Sequence, residues 1–315
     1  MDKMKAVLYY HYGMPDVLTN GVTSIPQILD NQVLVKTSCS GINPVDYKIR
    51  QGKFKLLTGK KFPKIPGADF SGIVEQSSSP DFKKGDAVMG MNNPMHGGCY
   101  AEYIRVSAAN LIKIPKSMPM EEAAALPLSG LTALQSLRDK AELVAGKKIL
   151  IIGASGGVGI YAVQIARILG ATVTAVCSNR NAKLVESLGA DRIVDYTSAN
   201  FKDELEKYDV VFDIVNSFHM AKAKKFMNPG SIYIMTSPGP LDIFSSINPL
   251  NYQYHFKTIV VENKKEDLIQ LLDWYKEKKL KVVIDKVFQF NDAANAHIYG
   301  ESHRARGKLV LKLEI

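Results

Sequence analysis

The chain has 315 residues, 46% hydrophobic and 23% charged, with a formal net charge of +9. Apolar content at this level excludes general disorder, and the length suggests about two domains. No run approaches the ~18 uninterrupted apolar residues of a membrane-spanning helix, and the short run Ala6 to Tyr10 is too brief for a signal-peptide core.

Cys39, Cys99 and Cys177 are odd in number and far apart. No disulfide framework and no CxxC metal knuckle can be drawn from them, so a reducing compartment, the cytoplasm, is expected. Lysine and arginine are scattered along the chain, which reads as a solvated basic surface that would also welcome a phosphate-bearing small ligand. A nucleic-acid partner is not expected.

Residues 1 to about 122 read as short strands between Gly, Pro and Asn turns: Val33–Lys36, Phe70–Glu75, Ala87–Met89, Tyr100–Val106 and Leu111–Ile114. Such spacing suggests a barrel or sandwich. From 123 to 265 strand alternates with helix. Lys148–Ile152 is a continuous apolar strand suited to burial on both faces of a parallel sheet. A glycine turn follows, Gly153 to Gly159. Val158, Ala162, Ile165 and Leu169 then recur at helical spacing until Gly170 stops the helix. Further strands are expected at Thr172–Val176, Ile193–Val194, Val210–Val215 and Ser231–Thr236, with Pro229-Gly230 turning the chain before the last. This alternation specifies a doubly wound α/β sheet. The final fifty residues, 266–315, read as a helix followed by strands Val282–Phe290 and Lys308–Leu313.

The glycine turn carries the first chemistry. Ala154-x-Gly156-x-x-Gly159 lies between strand and helix, where a dinucleotide fingerprint belongs. Gly156 lets backbone approach a pyrophosphate, and Gly159 lets the helix pack close. Ser155, Gly157 and Val158 stand where free N–H groups and the helix dipole meet phosphate. The end of the second strand reads Val176-Cys177-Ser178-Asn179-Arg180-Asn181, with no acid to bind a ribose 2′-hydroxyl. Hydroxyl and amide donors with the Arg180 cation suit a 2′-phosphate instead, so NADPH is the expected cofactor. Lys183, one turn on, either faces solvent or reaches the same phosphate.

Several segments together resemble the medium-chain dehydrogenase/reductase superfamily, in its zinc-free quinone oxidoreductase (zeta-crystallin-like) branch. They are Gly41-Ile42-Asn43-Pro44-Val45-Asp46-Tyr47, Ile65 to Gly72, Gly85-Asp86-Ala87-Val88, Gly97 to Tyr103 and Pro127 to Ala133. The resemblance implies a GroES-like β-barrel domain over residues 1–122 and 266–315, and a Rossmann domain over 123–265. Zinc members carry cysteine and histidine where Asn43 and Ala68 stand here, so no metal is expected. The implied activity is NADPH-dependent hydride transfer to a quinone or an α,β-unsaturated carbonyl. An NADPH-binding protein with a structural role is the alternative. By resemblance Thr132 would contact the nicotinamide carboxamide, Tyr196 would lie near the adenosine phosphate, and Ser237 would touch the cofactor. Asn43 and Tyr47 would line the substrate pocket, with the loops Lys53–Lys61 and Asp242–Tyr254 supplying further side chains. Asn43 either offers an amide donor to a developing oxyanion or serves the turn ahead of Pro44, and Tyr47 either donates a proton or packs. The resemblance also places the apolar stretch Phe256–Glu262 at a sheet edge used to form a homodimer.

Overall fold

The computed structural model describes residues 2–218, 220–237 and 253–313. Among them the strands run β1 (Lys3–Leu8), β2 (Thr19–Ser24), β3 (Gln32–Ile42), β4 (Asp69–Ser77), β5 (Ala87–Met91), β6 (Tyr103–Ser107), β7 (Leu111–Lys113), β8 (Lys148–Ile152), β9 (Thr172–Cys177), β10 (Arg192–Asp195), β11 (Tyr208–Asp213), β12 (Met227–Met235), β13 (His255–Thr258), β14 (Ile284–Gln289) and β15 (Lys308–Lys312). No described helix is long and apolar enough to cross a membrane.

The chain divides into two units. The first comprises Met1–Ser129, Asn263–Asp273 and Val282–Ile315, and the second Gly130–Glu262 and Trp274–Lys281. The division falls seven residues later than the sequence suggested on the N-terminal side. The helix Met120–Ala125 accounts for this, because its buried Ala124 and Ala125 pack with Cys39 and Val310.

In the first unit a sheet runs β14-β15-β3-β4-β5-β7, antiparallel except for β14 with β15. The long strand β3 serves two partners besides β4: β6 pairs with Gln32–Lys36 and β15 with Cys39–Ile42. Val33, Val35, Phe70, Val74, Val88 and Leu111 close the core beneath it. Several elements here were not foreseen. Among them are the hairpin β1-β2 and the helix Ala293–Glu301 between β14 and β15. Another is the helix Pro44–Arg50, which the sequence presented as a turn. Pro44 sits in the first turn of that helix, where its missing N–H costs nothing.

The second unit is a six-stranded parallel sheet in the order β10-β9-β8-β11-β12-β13. That order reverses at β8, the switch point at which doubly wound sheets bind ligands beyond the carboxyl ends of their strands. Strand β8 is buried from Ile149 to Ile152, as its unbroken apolar run demands. The structure corrects one turn. Pro229-Gly230 does not precede the fifth strand but lies inside β12, with Gly230 at φ +78° and the register to β11 shifting between Tyr208 and Val210. The chain absorbs the proline as a bulge.

Candidate active site

The turn after β8 is built on two glycines with different reasons to be glycine. Gly159 begins the helix Gly159–Ile168, and a Cβ there would stand 2.2 Å from the Gly153 carbonyl oxygen and 2.6 Å from Ala154 backbone. The fold itself forbids a side chain. At Gly156 an added methyl would find its nearest neighbour in the Gly153 oxygen, 3.4 Å away, so the protein leaves that position room. Such a space beside a helix N-terminus fits a group brought by a ligand. The N–H groups of Gly157 and Val158 bond to no described residue, so they remain donors for an anion.

At the end of β9 the Ser178 hydroxyl is buried and has no partner among the described residues. An orphaned hydroxyl costs free energy unless something meets it. Asn179 and Arg180 follow in a short 3₁₀ turn, both exposed, and Lys183 is exposed one turn on. Asn181 was not singled out from the sequence. Its Nδ2 donates to Ser155 Oγ at 2.9 Å and so ties this segment to the glycine turn. Space at Gly156, free N–H donors and an unmet hydroxyl followed by a cation fit a phosphorylated dinucleotide.

Three further expected cofactor residues fall at separate places in the second unit. Thr132 is buried on the helix Pro127–Gln135. Tyr196 follows β10 with its ring half exposed and its N–H donating to the Cys177 carbonyl. Ser237 follows β12, its carbonyl accepting from Asn216 Nδ2 at 2.8 Å. The loop Pro238-Gly239-Pro240 and most of the stretch Asp242 to Tyr254, expected to shape the pocket, lie outside the described residues.

The first unit gathers a buried polar cluster around Asn43. Its Nδ2 donates to Asp69 Oδ2 at 2.9 Å and more weakly to the Gly41 carbonyl at 3.4 Å, while its Oδ1 accepts from Lys308 Nζ. Asn43 therefore does not present a free amide donor: both ends of its carboxamide are committed within the unit. Lys308 also donates to Ser129 Oγ at 3.0 Å, and Asp69 accepts from the Leu128 N–H at 2.8 Å. Burial pushes the Asp69 carboxyl up and the Lys308 ammonium down, and each partner's charge opposes the shift of the other. Asp69 stands within the Ile65–Gly72 segment with no role read for it there, and nothing but its type marks Lys308 in the sequence.

Asp46 closes the start of the helix by accepting from the Asn43 N–H at 2.8 Å. Burial drives its carboxyl up to about 7. From Asp46 a chain of contacts runs through the Tyr100 hydroxyl at 3.4 Å to His297 Nε2 at 3.4 Å. Arg50 Nε lies 3.3 Å from His297 Nδ1, and Arg50 is paired with Glu301. Burial and the neighbouring guanidinium hold His297 down to about 3, so it stays neutral. The Tyr47 ring packs edge-on to His297, centroids 6.1 Å apart, yet its hydroxyl has no partner among the described residues. Burial, with the negative charges of Glu301 and Asp46, raises its pKa, so the O–H is retained as a donor. Among the described residues no group of three or more His, Cys, Asp or Glu side chains is placed to hold a metal ion.

Residues 29–116 match the family of alcohol dehydrogenase GroES-like domains, residues 188–311 that of zinc-binding dehydrogenases, and residues 130–235 the C-terminal domain of alanine dehydrogenase/PNT. The chain is 37% identical to a 2-methylene-furan-3-one reductase of Solanum lycopersicum, over 98% of this chain and 79% of that one. It is 36% identical to the chloroplastic NADPH-dependent alkenal/one oxidoreductase of Arabidopsis thaliana, with the same coverage. The structure of the quinone oxidoreductase from Coxiella burnetii superposes with a TM-score of 0.93 at 32% identity, covering 99% of each chain. The chain belongs to the medium-chain dehydrogenase/reductase superfamily, in its quinone oxidoreductase branch.

Proposed function

We propose that the protein is an NADPH-dependent oxidoreductase that reduces the conjugated double bond of an enone or enal, or a quinone. One observation carries the cofactor half: the Gly156 space, the free Gly157 and Val158 N–H groups and the unmet Ser178 hydroxyl lie along one turn and the adjoining strand end. The acceptor half is supported by the relatives, which are named as an alkenal/one oxidoreductase, a furanone reductase and a quinone oxidoreductase. When bound, NADPH supplies the hydride. Gly157 and Val158 hold the pyrophosphate; Ser178, Arg180 and Lys183 hold the 2′-phosphate; Thr132, Tyr196 and Ser237 complete the binding set. Tyr47 offers its unpartnered hydroxyl to the acceptor oxygen as charge gathers there. Asn43 acts as a positioning residue, fixing the start of the helix that carries Tyr47.

NADPH consumption against a panel of quinones, enals and alkenones tests this reading. Conjugated acceptors should turn over, with and without a strong chelator, and ethanol-like alcohols should not be oxidised. Tyr47→Phe should lower kcat by ~10²-fold while leaving NADPH affinity in place. Tight NADPH binding without turnover across the panel would move the assignment to a non-catalytic binding protein.

A homodimer belongs to the same reading. Strand β13 ends the parallel sheet with one edge unpaired among the described residues, although it spans only His255–Thr258 rather than the longer stretch expected. Light scattering at micromolar concentration should give twice the chain mass; a monomer would remove the proposal. The three cysteines are buried and unpaired, which supports placing the protein in a reducing compartment such as the cytoplasm.

A further inference from the structure

Between Tyr47 and Ala68 the chain contains six lysines and no acidic residue. At the centre of this stretch the short helical turn Lys55–Thr58 holds Leu56 and Leu57 out to solvent, 94% and 74% exposed. Lys53, Lys55, Lys60 and Lys61 are exposed around them, and none pairs with a carboxylate among the described residues. Two adjacent leucines this open form a contiguous apolar patch, which scattered single leucines on a surface do not.

Their exposure does not come from a loose loop. The Tyr12 hydroxyl donates to the Gly59 carbonyl and lies 2.7 Å from Thr58 Oγ1, and Lys64 Nζ donates to the Thr58 carbonyl at 2.7 Å. The Phe62 ring packs edge-on against Tyr9 and Tyr12, centroids 5.9 and 5.1 Å away. The segment is thus tied at Thr58, Gly59 and Phe62 to Tyr9, Tyr12 and Lys64, while Leu56 and Leu57 stay exposed. Tyr10 and Met14, two residues to either side of Tyr12, are also more than half exposed.

We propose that Lys53–Lys61 is a docking surface for an anionic lipid bilayer. The leucines enter the boundary between headgroups and acyl chains, and the lysines remain at the phosphate level. Charge complementarity selects this partner: exposed cations without a carboxylate partner among the described residues flank two exposed leucines along the chain, the composition by which peripheral proteins lie on acidic membranes. The sequence suggested Lys53–Lys61 as a loop of the substrate pocket, yet its two leucines stand in solvent; docking as proposed requires neither cofactor nor turnover.

The test is co-sedimentation of the full chain with vesicles of phosphatidylcholine alone, or with about a third phosphatidylserine. Binding to the acidic vesicles should exceed binding to the neutral ones by at least ~10-fold and should fall as salt is raised. Lys60→Ser/Lys61→Ser should weaken it by roughly 25-fold, about fivefold per lysine. Leu56→Ser/Leu57→Ser, with its unfolding midpoint checked against the parent, should weaken it by ~10-fold or more. Three results would overturn the proposal. The first is no preference for acidic vesicles. The second is a leucine variant that binds as the parent does, with single-stranded DNA displacing both, which would mark a nucleic-acid surface. The third is a leucine variant that turns a dimer into a monomer, which would mark a contact between copies of this chain.

Discussion

Replacing Lys308 with methionine should destabilise the protein by about 3–5 kcal/mol, read as a shift in the urea midpoint. Lys308 and Asp69 are essentially without solvent, and the ammonium lies 3.8 Å from Asp69 Oδ2 while bonding Asn43 and Ser129. Methionine fills the space but removes the charge. Asp69 then keeps only the Asn43 Nδ2 and Leu128 N–H donors, with no cation to offset its burial. It must take up a proton or draw water into the core. The double variant Lys308→Met/Asp69→Asn should be more stable than Lys308→Met alone, because the uncompensated charge is gone. A single variant within about 1 kcal/mol of the parent would show that the cluster is not stabilised as an ion pair.

The second large effect separates two glycines three residues apart. Gly156→Ala should leave the unfolding midpoint unchanged and weaken NADPH by ~10-fold or more, because the methyl would occupy space that the protein itself does not use. Gly159→Ala should behave in the opposite way. Its methyl would meet the Gly153 oxygen at 2.2 Å, so the helix must back away from β8 at a cost of at least 1–3 kcal/mol, roughly the range for overpacked cores. Fluorescence titration and thermal unfolding on both variants make the comparison. Unchanged NADPH affinity in Gly156→Ala would place the pyrophosphate elsewhere. On the parent background, Ser178→Ala and Arg180→Ala should each narrow the preference for NADPH over NADH by about 1.5–3 kcal/mol.

The second unit was the legible one because its signals are local. Strand β8 is apolar from Ile149 to Ile152 since both faces are covered, and the glycine turn after it is informative because it stands between that strand and a helix. Where a strand tolerates its own breakers, as β12 does at Pro229-Gly230, the same local signals mislead. The helix Pro44–Arg50 is only seven residues long, and it buries Asp46 and Arg50, so no amphipathic period announces it. The β2 strand, Thr-Asn-Gly-Val-Thr-Ser, shows no apolar alternation because much of it faces solvent. The Asn43 cluster was half legible. Asn43 stood out through its motif, but what engages it is a lysine 265 residues away, and nothing local distinguishes Lys308 from the chain's other lysines. Pairings set by tertiary closure leave no periodicity to read.

The first unit is assembled from chain segments that leave the ribosome far apart in time. Gly130–Glu262 emerges as one nearly complete parallel sheet and can collapse while β14 and β15 are still being made. The unit whose first strands are translated earliest must wait. Strand β3 lacks its β15 neighbour, and Asp69 lacks its cation, until Lys308 has cleared the exit tunnel. The nascent β3–β4 segment therefore carries an open strand edge and an unmatched acid throughout the synthesis of the whole second sheet. It is exposed to chaperones and to wrong edge-to-edge pairing for at least as long as the ribosome takes to read from Asp69 to Lys308.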